Sequence, residues 1–153
     1  MPIETNIWER GPYTQLATFC EHVLQEADGV VSLIRIVNII THTERGPDAP
    51  EEMPEIRYPL HLVISLRSGT ARGRHEVTII PEKPSGETLS PVSTSVAMEG
   101  EAKGANIITR LDIPYKLEGL YWFTIQFDQK VLTRIPLEVR YSRIVSGPAK
   151  PSQ

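Results

Sequence analysis

The stretch that most constrains this chain is Gly119–Tyr141, GLYWFTIQFDQKVLTRIPLEVRY. Tyr121, Phe123, Ile125 and Phe127 alternate with Trp122, Thr124 and Gln126. That period of two marks a strand with one buried face. Asp128-Gln129-Lys130 interrupts the pattern. It resumes with Val131, Ile135, Leu137, Val139 and Tyr141 on one side and Arg134, Glu138 and Arg140 on the other. The two halves read as a β-hairpin. A loop of Asp128 and Gln129 alone would turn Phe123 to the side of Arg134, because a one-residue slip reverses every side chain. A three-residue loop instead pairs Phe127 with Val131, Phe123 with Ile135 and Tyr121 with Leu137. It requires Gln129 or Lys130 in the left-handed region.

The same register sets Trp122 opposite Pro136, Leu120 opposite Glu138 and Gln126 opposite Leu132 on the outer side. Proline in a strand belongs at an edge. Leu120, Trp122, Leu132 and Pro136 are therefore expected to form an exposed apolar interaction surface, covered by a second subunit or by the N-terminal residues through Trp8 and Tyr13.

The chain has 153 residues, enough for one domain with its own core. Its net charge of −3 argues against a nucleic-acid binder that works by neutralising phosphates. The single cysteine, Cys20, can form no disulfide within the chain and is compatible with a reducing compartment. The first residues lack a basic segment followed by an apolar run. The longest apolar stretch, Val30–Ile40, is broken by Ser32, Arg35 and Asn38 and cannot span a membrane. A cytoplasmic protein is expected, with no cofactor and with a protein or a second copy as its partner.

Residues 1–13 read as an arm, 14–141 as the folded domain and 142–153 as a flexible tail. Thr14–Asp28 fits two patterns. Leu16, Phe19, Cys20, Val23 and Leu24 have helical spacing, and a strand alternates less well. Val30–His42 is rich in β-branched residues and reads as a strand. The segment from Glu44 to Glu55 carries five acids and Pro47, Pro50 and Pro54, and is expected to be an extended, exposed, mobile connection. Strands are expected at 60–67, 75–82, 87–89, 94–98 and 107–113, with turns at Ser68–Gly73 and Pro84-Ser85-Gly86. Seven or eight strands separated by turn signals make a two-sheet sandwich the expected architecture.

No catalytic constellation is visible. On a strand Cys20 and His22 lie roughly 6.5–7 Å apart, beyond hydrogen-bond reach, and on a helix they diverge. His22, His42, His61 and His75 show no metal-ligand spacing, and no second cysteine supports zinc. His42 and His61, at strand ends, read as surface residues. Ser68–Arg74, SGTARGR, could be an anion-binding loop, but it precedes a strand and lacks the Lys-Ser/Thr that closes a phosphate cradle.

Four segments resemble a bacterial family of small β-sandwich proteins of unknown function. They are Phe19-Cys20-Glu21; Gly29 with Ser32-Leu33-Ile34; Gly73–Val77 running on to Pro84-Ser85-Gly86; and Gly119–Phe123 with Ile135-Pro136-Leu137. The resemblance spans about residues 16–141. It implies an immunoglobulin-like sandwich and makes Leu16–Val23 a first strand. It implies no activity, so the functional expectation is a non-catalytic binding or assembly module using a sheet face or edge. The alternatives are a small-ligand carrier and an enzyme whose site is assembled from residues distant in sequence. Val30 after the glycine and the acidic Pro-rich insert depart from the family pattern.

Overall fold

The computed structural model describes residues 7–145, and every regular element among them is a strand. In chain order these are β1 (Tyr13–Gln25), β2 (Val31–Ile36), β3 (Ile39–Arg45), β4 (Ile56–Arg57), β5 (Leu60–Glu82), β6 (Val92–Leu111), β7 (Pro114–Tyr115), β8 (Gly119–Phe127) and β9 (Lys130–Ile144). Seven of them form one hydrogen-bonded sheet, and β4 pairs with β7 in a short ribbon beside it. The tip of the expected arm and most of the expected tail lie outside the described residues.

The first segment is a strand despite its helical spacing. Leu16–Cys20 pairs with Ser65–His61 on β5, and Cys20–Gln25 pairs with β2, so tertiary pairing overrides local period.

The sheet becomes a sandwich through β5 and β6. These two run antiparallel from Leu60 opposite Leu111 to Ile79 opposite Val92. On its other side β5 pairs first with β1 and then, from Val77 to Glu82, with β8. One layer is therefore β2-β1-β5-β6, and the other is β6-β5-β8-β9-β3. Their inner faces meet in one core, where the Phe19 ring of β1 sits 4.9 Å from the Phe123 ring of β8. The fold is an all-β two-layer sandwich.

The bend between layers falls at Ser68–Gly73, where the sequence suggests a turn. The chain does not reverse there. The register slips between Arg67 and Arg72, Gly69 takes φ +58°, and the strand continues. Residues 7–12 pack along this bend. The Arg10 carbonyl accepts from Thr70 N at 3.2 Å, and a Cβ on Gly69 would meet that carbonyl oxygen at 2.2 Å. β6 is likewise one strand where the sequence shows two short pieces, because Gly100 and Glu101 bend it at positive φ without ending it.

The hairpin differs from expectation at its tip alone. Asp128 and Gln129, at φ +47° and +71°, form a two-residue loop that pairs Phe127 with Lys130 and Gln126 with Val131. Leu132 is then an extra residue on β9, and this bulge restores the phase. Phe123 faces Ile135, Tyr121 faces Leu137 and Trp122 faces Pro136, as the alternation requires. β9 runs on to Ile144, pairing from Glu138 onward with parallel β3.

The Pro-rich segment is irregular and mostly exposed, yet it is docked. Tyr141 Oη donates to the Pro50 carbonyl at 2.6 Å, Arg143 Nε donates to the Ala49 carbonyl at 2.8 Å, and Met53 enters the core. At the start of β8, Tyr121 Oη donates to Leu117 O at 2.8 Å and accepts from Leu117 N at 3.2 Å. That is the tyrosine corner of immunoglobulin-type sandwiches.

Candidate functional site

Cross-strand partners present their side chains on one face of a sheet. In the first layer Ile36 lies opposite Cys20, Cys20 opposite His61 and His61 opposite Arg110, a row across four strands. The flanking residues Phe19 and Leu62 face the core, so this row belongs to the outer face. His22, two residues beyond Cys20 and opposite Ile34, shares it.

At the end of this row, where the chain enters β5, a cleft of about 460 Å³ opens. It is lined by Glu21, His22, Tyr58, Pro59, His61 and Arg110. Glu21 has both carboxylate oxygens engaged: Oε1 accepts from Tyr58 Oη, and Oε2 accepts from Arg35 Nε at 2.6 Å. The Tyr58 bond, then that of Arg35, holds the carboxyl below its ordinary range, and the bond to Glu21 raises the Tyr58 phenol. Arg35 makes its bond from φ +58°, a conformation unfavourable for a residue with a Cβ.

His61 Nδ1 lies 3.2 Å from the Glu21 backbone carbonyl. A carbonyl only accepts, so Nδ1 carries the hydrogen. Arg110 makes no ion pair or hydrogen bond among the described residues. Asp112, the acid that follows it on β6's continuation, is held by Arg57 Nη1 at 2.7 Å. The cleft thus offers one uncommitted guanidinium and two imidazoles, from three different strands, beside a carboxylate paired with Arg35 and Tyr58. No group of three His, Cys, Asp or Glu among the described residues is placed to hold a metal ion.

Two other groupings have the outline of chemistry without the means. Cys20 is fully buried, and burial pushes its thiol upward, away from the reactive thiolate. His75 faces Asp128, Nδ1 to Oδ2, at 2.5 Å, as an acid–base pair would. Its Nε2, however, donates to the Arg72 carbonyl at 2.7 Å, leaving no nitrogen to accept a proton. The arginines near Ser68–Arg74 form no cradle: Arg67 binds Gln15, Arg72 the Glu99 carbonyl and Arg74 Ser95.

Of the expected interaction surface, Trp122 and Pro136 do meet on the outer side of the hairpin. Leu120 lies beside them and is 44% exposed. The Arg134 guanidinium covers the Trp122 ring at 4.3 Å and is itself paired with Glu82. Leu132 does not join them; the bulge turns it against the core. His61, which reads as a surface residue in the sequence, and Arg110, which carries no signal there, both line the cleft. Nothing in their local spacing signals it, because only the pairing of β5 with β6 makes them neighbours.

The model of a family of unknown function, DUF6941, matches residues 15–140. The chain belongs to this family. The DUF6941 match runs from β1 into β9 and includes every residue of the cleft. No curated protein sequence matches the chain. Among solved structures, an immunoglobulin-like protein from Pseudomonas aeruginosa is similar at TM-score 0.44 and 9% identity, over 86% of this chain and 98% of that one. The alkylpurine DNA glycosylase AlkC of Pseudomonas fluorescens, bound to DNA containing an abasic site analog, is similar at TM-score 0.45 and 12% identity. That likeness covers 81% of this chain and 30% of the glycosylase.

Proposed function

We propose that this DUF6941 protein is a non-catalytic binding module of the bacterial cytoplasm that seats its ligand in the cleft beside Arg110. The observation that carries the reading is the convergence of His22, His61 and Arg110 from β1, β5 and β6 on one concavity, with Arg110 uncommitted. A concave site with a few convergent polar groups is the usual form of a ligand pocket. Three features support a role without catalysis. The thiol is buried, the His75 nitrogens are both occupied, and both Glu21 oxygens are hydrogen-bonded. A lone buried cysteine also suits a reducing compartment.

A fragment screen with neutral, cationic and anionic compounds, read by the His22, His61 and Arg110 resonances, tests this. Binders are expected to move those signals. Binders that perturb only other surfaces, or turnover of any fragment, overturn the reading.

Self-assembly is a second role, favoured by one observation. Among the described residues, β9 is unpaired on its outer side from Lys130 to Leu137, next to Leu120, Trp122 and Pro136. A symmetric dimer through this edge would cover both. Trp122→Asp is then expected to elute as a smaller species on size exclusion with an unchanged circular dichroism spectrum. A wild type that is monomeric at high concentration refutes the dimer.

A further inference from the structure

We infer that the cleft takes up a small organic anion, a carboxylate or phosphate monoester on an apolar body, and that its capture places a proton on His61. This rests on the cleft being the ligand seat.

The charges favour an anion. From β1 the cleft receives Glu21 and His22, from β2 the Arg35 side chain that binds Glu21, and from the segment before β5 Tyr58. From β5 it receives His61, and from β6 Arg110. Each Glu21 oxygen already accepts a hydrogen bond and its charge is paired with Arg35, Tyr58 spends its hydrogen on Glu21, and Asp112 is paired with Arg57. The positive charge left without a partner favours an anion over a neutral ligand. The Arg110 guanidinium remains, a planar fork matched to carboxylate or phosphate oxygens.

The proton follows from the His61 tautomer. With Nδ1–H directed at the Glu21 carbonyl, a neutral ring turns a lone pair outward at Nε2. An anion meets repulsion there unless Nε2 also gains a hydrogen, so binding and protonation proceed together. His22 flanks the same opening. Arg35 and Arg110 keep their charge throughout, and imidazoles are the side chains that change charge between about pH 5 and 8.

The apolar body follows from the walls. Pro59 and Tyr58 line the cleft, and Ile34 and Ile36, opposite His22 and Cys20, are exposed beside it. The space of about 460 Å³ exceeds what a bare head group fills.

The test is calorimetry of the full chain with benzoate, phenyl phosphate, inorganic phosphate and neutral benzamide, together with the His22 and His61 ring resonances. Benzoate or phenyl phosphate should bind and benzamide should not, and which of the two binds tighter identifies the head group. Affinity should fall as pH rises from about 6 to 8, and protons should be taken up on binding when buffers of different ionisation heat are compared. Arg110→Gln should lose about tenfold at every pH, and His61→Gln should flatten the pH dependence. Both positions are at the surface or half-buried, and circular dichroism checks the fold. Benzamide binding as well as benzoate at the cleft, or pH-independent anion binding, overturns the inference while the cleft remains the ligand seat. Inorganic phosphate binding as tightly as phenyl phosphate removes the apolar body. Cleft resonances that no compound moves overturn both readings.

Discussion

The imidazole of His75, on β5 just past the interlayer bend, clasps the carboxylate of Asp128 in the β8–β9 turn at 2.5 Å. Asp128 Oδ1 accepts from Glu76 N, and the Asp128 amide donates to the Glu76 carbonyl. The tip of the hairpin is thereby tied to the strand it pairs with. The ring also lies against Phe127 at 4.6 Å.

This clasp makes stability depend on pH in a defined direction. The bond to Asp128, then that to the Arg72 carbonyl, raises His75 above its ordinary 6.5. Its contribution is full below that value and is lost as pH rises through the raised one. The Glu76 amide, then His75, lowers Asp128 below its ordinary 3.8. Its contribution is present above 3.8 and is lost as pH falls through the lowered value. Both act together between about pH 4 and 6.5. Asparagine tolerates the left-handed φ at this position, so Asp128→Asn removes charge with little backbone strain. The urea midpoint of wild type should exceed that of the variant most within this window, and less on either side.

Two tyrosines should respond in opposite ways to loss of their hydroxyls. Tyr115 Oη is buried against the Tyr121 ring with no hydrogen-bond partner, and burial raises its phenol. Tyr115→Phe is expected to raise stability, by about 1 kcal/mol, since a buried unsatisfied group carries a desolvation cost. Tyr121→Phe leaves Leu117 N and O without the corner and should lower it by about 1–2 kcal/mol. Chemical denaturation of the two variants side by side gives the sign of each.

Glycines in the long hairpin are required for different reasons. A Cβ on Gly104 would lie 1.8 Å from the Leu66 carbonyl oxygen, so β5 and β6 would have to separate. Gly73 sits at φ +85° with nothing within 4 Å of its Cβ position. Gly73→Ala should cost about 1–2 kcal/mol of backbone strain. Gly104→Ala should cost more, and the order of the two melting temperatures checks it.

Cys20 should resist labelling in the native protein. A thiol reagent at neutral pH is expected to react quickly only after denaturant exposes the side chain. Stoichiometric labelling of native protein within minutes would contradict the buried, protonated thiol.

Much of the fold was legible wherever one face of a strand is buried. Tyr121, Phe123 and Ile125 announce their face by alternation, and their partners Ile135 and Leu137 follow from it. The tip is not legible, because alternation shows only that the phase shifts and is met equally by a third loop residue or by a bulge, and the bulge at Leu132 inside β9 supplies it. Gly69 and Gly73 look like a turn in sequence, yet the same freedom of φ serves to bend a continuing strand. The cleft was illegible for another reason. His22, His61 and Arg110 meet through strand registers set by the whole core, and no residue near any of them records that pairing.

The parallel pairing of β3 with the end of β9 has a consequence during synthesis. Ile39–Arg45 leaves the ribosome early, but the strand that completes its hydrogen bonds ends at Ile144. Each nascent chain therefore carries an open strand edge until β9 has been made, in a form that other chains could pair with. Closure of that edge waits for the last of the nine described strands. A chain cut short before residue 138 would keep the edge exposed however well its two layers had packed.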